Sequence, residues 1–121
     1  MTAMTQHTMK LQPAPFEKIR AGTKTIELRL YDKKRQRIAI GDTIQFVNTE
    51  NPTEALLATV KELFVFDSFE TLYNTLPLTE CGYSEAELST AAHEDMERYY
   101  SKEEQSQYGV VGIKISLREE R

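Results

Sequence analysis

Cysteine is almost missing from this chain: one, Cys81, in 121 residues. A lone cysteine forms no internal disulfide, so nothing here calls for an oxidising compartment, and cytoplasm is the expected location. Histidine is scarce as well, with two residues, His7 and His93. One cysteine and two histidines at unrelated spacings make no metal signature, and no metal or cofactor is expected. A catalytic thiol needs a base beside it. Neither His7 nor His93 is placed by spacing to serve Cys81, which reads as a small buried or loop residue. No apolar run approaches membrane-spanning length. The start, Met1 to Thr5, has neither a basic nor an apolar region of the kind a signal peptide carries. It is expected to be a frayed end, with Arg118–Arg121 an exposed tail. Internal repeats and low-complexity linkers are absent too, and the length suits one domain spanning 1–121.

A surplus of positive charge is also lacking. Lys and Arg number 15 against 19 Asp and Glu, for a net charge of −4. That balance argues against tight, sequence-independent duplex binding, which neutralises many phosphates. It leaves room for a local basic cleft. The bases do cluster, at Lys18, Arg20 and Lys24, then at Lys33, Lys34, Arg35 and Arg37. The acids cluster elsewhere, at Glu85, Glu87, Glu94, Asp95 and Glu97.

What is present organises itself around Lys18 to Arg29. The stretch starts as the end of a helix opened by Pro13 and Pro15, with Phe16 and Ile19 on its docking side. Gly22 supplies the left-handed residue that closes such a helix. The period then changes to two. Glu27 and Arg29 share one face of a strand, about 7 Å apart along it. Ile26, Leu28 and Leu30 take the other, and the long stem of Lys24 reaches either side. Such a polar face is either solvated or lines a cleft. If it lines a cleft, it offers a carboxylate for acid–base work or for a base edge, and two cations for phosphate or carbonyl oxygens. Alanine at Lys24 or Glu27 is then expected to abolish binding and leave folding intact.

Further along, Asp32 is placed to cap a short turn. Gly41-Asp42 marks a turn into a strand with Ile44 and Phe46 inward. Asn48 to Thr53 reads as a loop. Ala55 to Phe66 reads as a long strand bulged near Glu62. Ser68 caps a helix over 69–76. Ser84 with Glu87 forms a capping box for an acidic helix over 84–100, and Ser101 with Glu104 opens a last short helix. Val111, Ile113, Ile115 and Leu117 share one face of a final strand. Pattern alone gives an α+β mixed sheet.

Gly22-Thr23-Lys24-Thr25-Ile26-Glu27-Leu28-Arg29 resembles the G-x-K-T-x-E-x-R signature of ASCH domains. Gly41-Asp42, Phe64–Phe69 and Tyr108–Ile113 are similar to later segments of that family, so the resemblance covers the chain after about residue 8. It implies a small mixed β-barrel, PUA-like, of about five or six strands with flanking α-helices. It implies a module binding RNA or a nucleotide-like small molecule in a cleft lined by Lys24, Glu27 and Arg29. Arg35, in the basic connection, is a candidate phosphate contact at the cleft rim, and Tyr31 and Tyr100 are candidate base-stacking residues.

Some ASCH proteins resemble bacterial amidohydrolases that deacetylate N4-acetylcytidine with a lysine, a threonine and a glutamate. Lys24 matches the lysine. Glu27 stands at the threonine position, and the glutamate falls near Cys81, beside Glu80. A hydrolase of acylated nucleosides or of RNA, with Lys24 and Glu27 as catalytic residues, is therefore the alternative. A third reading is a non-catalytic module whose acidic helix recruits a protein partner.

Overall fold

The computed structural model describes residues 4–118. The suggested frayed end and exposed tail lie largely outside that range. The chain runs β1 (Gln6–Leu11), α1 (Pro13–Ala21), β2 (Ile26–Leu30), β3 (Thr43–Asn48), β4 (Asn51–Phe66), α2 (Phe69–Thr75), α3 (Lys102–Tyr108) and β5 (Val110–Leu117). The five strands form one sheet in the order β1-β3-β4-β5-β2. The β1–β3 pair is parallel and the others are antiparallel.

Strands β1 and β2 are the two edges, yet they lie close together. The Arg29 guanidinium on β2 donates to the Lys10 carbonyl on β1 at 3.0 Å. The sheet is therefore curled into a half-barrel whose seam lies between β1 and β2, with α1 as the short connection across it. The α+β barrel-like expectation holds, with five strands.

Helix α1 ends as its sequence dictates: Gly22 has φ 84°, and its N–H bonds back to Ile19. Phe16 and Ile19 are buried in the barrel core with Ile44, Phe46, Val60, Val111 and Ile113. Strand β2 is covered on both sides. Ile26, Leu28 and Leu30 pack with Phe69, Leu72 and Val110 in a second apolar cluster, which turns Glu27 and Arg29 toward the seam.

Several local readings are matched. Asp32 Oδ1 accepts the Arg35 N–H. Ser68 Oγ accepts the Thr71 N–H at the start of α2. The register of β4 against β5 shifts between Val60 and Glu62, the expected bulge.

Two readings are corrected. The supposed loop over 48–53 is a tight turn, with β4 already begun at Asn51. Asn48 makes this work, since its side chain accepts the Glu50 N–H and donates to Glu54. The supposed acidic helix over 84–100 is two separate 3-10 turns, Glu85–Glu87 and His93–Arg98. Glu87 does cap the Ser84 N–H, but Asp95 caps Ala92 a few residues later and restarts the chain. Side-chain caps compete with the helix ladder here, and the one at Ala92 interrupts the segment although Leu88, Ala92, Met96 and Tyr100 stand at helical spacing.

Candidate functional site

A cavity of about 380 Å3 opens at the seam. This lies within the range of about 300–1,000 Å3 typical of small-molecule sites. Its floor comes from β2 with Glu27, Leu28 and Arg29, and one wall from the end of β1 and the start of α1. The opposite wall is Tyr73 of α2 and the irregular segment from Cys81 to Tyr100.

Glu27 is the centre of the charge arrangement. Its side chain is 4 % exposed. Lys24 Nζ lies 2.8 Å from Glu27 Oε1, and Arg29 Nε donates to Glu27 Oε2 at 2.7 Å. Lys24 reaches across from the other side of the strand start, as its long stem allows. The lysine is off the hydrogen-bond direction, so Oε1 is ion-paired but accepts no hydrogen bond. Burial by itself would raise the Glu27 pKa. The charges of Lys24 and Arg29 and their contacts outweigh it, holding the carboxyl below its ordinary value. Burial disfavours the Arg29 cation, but Glu27 and Tyr100 outweigh it and raise the Arg29 pKa. The triad is a fixed ion cluster, with Glu27 buried beneath its two cations.

The lining carries Lys10, Lys18, Lys24 and Arg29 against Glu27 alone, a net positive recess on an acidic chain. Four tyrosines, Tyr73, Tyr83, Tyr99 and Tyr100, with Met96, make one side of the wall aromatic. Tyr83 donates to Asp95 Oδ2 at 2.7 Å and lies 2.7 Å from the Tyr73 hydroxyl. The carboxylate only accepts, so Tyr73 donates to Tyr83 and keeps its own oxygen as an acceptor. Burial pushes the Tyr73 phenol up to about 12, so it stays neutral.

Of the residues singled out in the sequence, Lys24, Glu27, Arg29 and Tyr100 meet in this cavity. Tyr31 and Arg35 lie outside its lining; Arg35 is paired with Asp32 at 2.8 Å, and Tyr31 packs against the barrel core. Glu80 is also outside the lining. Its carboxylate accepts from the Thr25 hydroxyl at 3.0 Å, and its carbonyl from the Thr25 N–H at 2.8 Å. Cys81 lines the cavity, but burial pushes its thiol up to about 12, leaving it protonated and poorly nucleophilic.

Sequence reasoning missed Lys10, Lys18, Tyr73, Tyr83, Met96 and Tyr99 as lining residues. Tyr73 lies four after Phe69, a spacing that reads as core. Tyr83 sits in a loop whose course no local pattern fixes.

Gly82 was missed for the same reason. It has φ +110°, and a Cβ there would stand 3.3 Å from Cδ of Lys24. The lysine stem thus lies along the bare backbone. Its carbonyl accepts from Lys18 Nζ at 2.6 Å. Gly82→Ala is expected to cost about 1–3 kcal/mol of backbone strain and to displace Lys24. A lowered denaturation midpoint with weakened ligand binding is the check.

Comparison with known proteins adds to this geometry. The ASCH domain model matches residues 9–119. The chain belongs to the ASCH family. ASCH membership supports a nucleic-acid- or nucleotide-binding module in general terms. The crystal structure of hypothetical protein PH0355 superposes with a TM-score of 0.78 at 32% identity, covering 94% of this chain and 100% of that one. The solution structure of PF0455 from Pyrococcus furiosus gives 0.69 at 32% identity, covering 96% and 100%. An ASCH protein from Zymomonas mobilis gives 0.64 at 18% identity, covering 95% and 68%, a likeness of fold. No curated protein matches the sequence. Among the described residues, no helix of this ASCH protein is long and apolar enough to cross a membrane. No group of metal-ligating side chains occurs among them either.

Proposed function

We propose that this ASCH domain binds RNA or a nucleotide-like ligand at the seam of its half-barrel, with one base seated in the cavity. The observation that carries the reading is the buried Lys24–Glu27–Arg29 cluster facing an aromatic-walled recess. Aromatic side chains stack any base, and Glu27 holds the Lys24 and Arg29 cations in place beside them. Lys24 and Arg29 serve carbonyl or phosphate oxygens.

Binding is favoured over hydrolysis by the chemistry of the same groups. A carboxylate held below its ordinary pKa by two cations is a weak general base at neutral pH. Glu80 is committed to Thr25, and the Cys81 thiol stays protonated.

The test is an NMR titration with the four ribonucleosides and a short single-stranded RNA. Lys24→Met is the variant, because it keeps the stem that lies on Gly82. The expected result is saturable shifts at cavity residues in the wild type and a loss of roughly tenfold or more in affinity in Lys24→Met. No shifts at millimolar ligand, or equal affinity in the variant, would overturn the reading.

A further inference from the structure

A second hollow, of about 410 Å3, lies beside the seam cavity. The two share Lys18, Gly82, Tyr83, Met96 and Tyr99 in their walls. The two therefore adjoin at these residues, the seam cavity as the inner compartment and the second hollow as the outer one. The outer compartment adds Glu87, Thr90, Asp95 and Arg98.

The junction has the features of a second recognition point. Tyr99 is a large aromatic residue left 55% exposed, and it borders both compartments. The Arg98 guanidinium carbon stands 6.0 Å from the centre of its ring. A tyrosine held open beside a cation is a platform for a stacked base. Lys18 is at the same junction, tethered to the Gly82 carbonyl at 2.6 Å and 3.9 Å from Glu87. Its side chain remains 42% exposed, so its ammonium can reach a ligand that crosses the junction.

Charge limits what can cross. Two cations, Lys18 and Arg98, face two carboxylates, Glu87 and Asp95, in the outer compartment. Glu87 is engaged by the Ser84 N–H, and Asp95 by Tyr83 and Ala92. Both carboxylates are held in place by these bonds. A single diester charge is matched by the Lys18–Arg98 pair, whereas several phosphate charges would meet the two fixed carboxylates.

We infer that the two compartments act as one groove that accepts two linked nucleotides of a single strand: one base in the inner cavity, the linking phosphodiester at Lys18, and the neighbouring base against Tyr99 and Arg98. It is built for a dinucleoside monophosphate or longer single strand rather than for a nucleoside triphosphate. This rests on the reading that the inner cavity takes a base.

The experiment measures affinities of a nucleoside, its 5′-triphosphate and the matching dinucleoside monophosphate, for the wild type and for Arg98→Gln. Arg98 lines only the outer compartment, so its variant separates the two sites. The dinucleoside monophosphate is expected to bind roughly tenfold more tightly than the nucleoside, a gain of the size that stacking supplies. Arg98→Gln is expected to remove most of that gain while the nucleoside affinity stays the same. The triphosphate is expected to show no gain over the nucleoside. Equal binding of nucleoside and dinucleoside overturns the two-unit groove and leaves the inner site standing. A triphosphate that binds tightest overturns it too, as does a gain that survives Arg98→Gln. Failure of every ligand to bind removes the inner-site reading together with it.

Discussion

Glu27→Ala is expected to lower the stability of the fold by about 3–5 kcal/mol, the usual cost of stripping one partner from a buried ion cluster. Spacing alone made this a change on a polar strand face, one the fold would survive unaltered. Burial makes it a structural change. The side chains of Lys24 and Arg29 are 11% and 12% exposed, and without Glu27 two cations would share a desolvated seam. Thermal unfolding should show a midpoint lower by roughly 10–20 °C for a chain of this size. A shift of only a degree or two would mean that water reaches the cluster freely.

The same carboxylate gives a pH dependence of known sign. Folding holds the Glu27 pKa below its ordinary 4.5, because Lys24 and Arg29 outweigh the burial that would raise it. Above that value Glu27 is ionised in both states, and its stabilising contribution is complete. Below it, the unfolded chain takes up a proton that the folded chain refuses. Stability therefore falls as pH drops toward the folded pKa. Glu27→Gln cannot ionise, so its acid stability profile should be flatter than that of the wild type below about 4.5. Denaturant midpoints measured between neutral and acidic pH make the comparison. Parallel profiles would show that Glu27 contributes no such dependence.

Phe16→Ala carries the second large effect, an expected loss of about 3–5 kcal/mol. Phe16 is 0% exposed and sits in the barrel core with Ile19, Ile44 and Phe46. The Arg20 guanidinium carbon lies 5.1 Å from its ring centre. Removing the ring leaves a cavity that α1 cannot close, since the helix is tied at both ends, to β1 and β2. The loss should be visible as a lower midpoint in chemical denaturation with an unchanged slope. Because α1 carries Ala14, Pro15 and Lys18 into the cavity wall, ligand affinity should fall with it. A cost below about 1 kcal/mol would mean that the ring is not packed against the half-barrel as described.

Much of the architecture was legible because its signals are local. Gly22 ending α1, Ser68 opening α2 and the alternation through Ile113 and Ile115 each act within a few residues of the backbone they shape. The acidic segment failed for a related reason. The cap of Ser84 by Glu87 is local and present, but a second cap, of Ala92 by Asp95, restarts the chain before one helix can run through.

The site divides along the same line. The chain by itself determined that Lys24, Glu27 and Arg29 come from one short segment, because a strand's period places alternate side chains on one face. Only tertiary structure decided that this face is buried and that the two edge strands meet to leave a seam. It alone brought Tyr73, Tyr83 and Tyr99 from distant segments to the wall. Curling of a sheet and the course of a loop depend on contacts between residues far apart in sequence, and no short-range pattern encodes them.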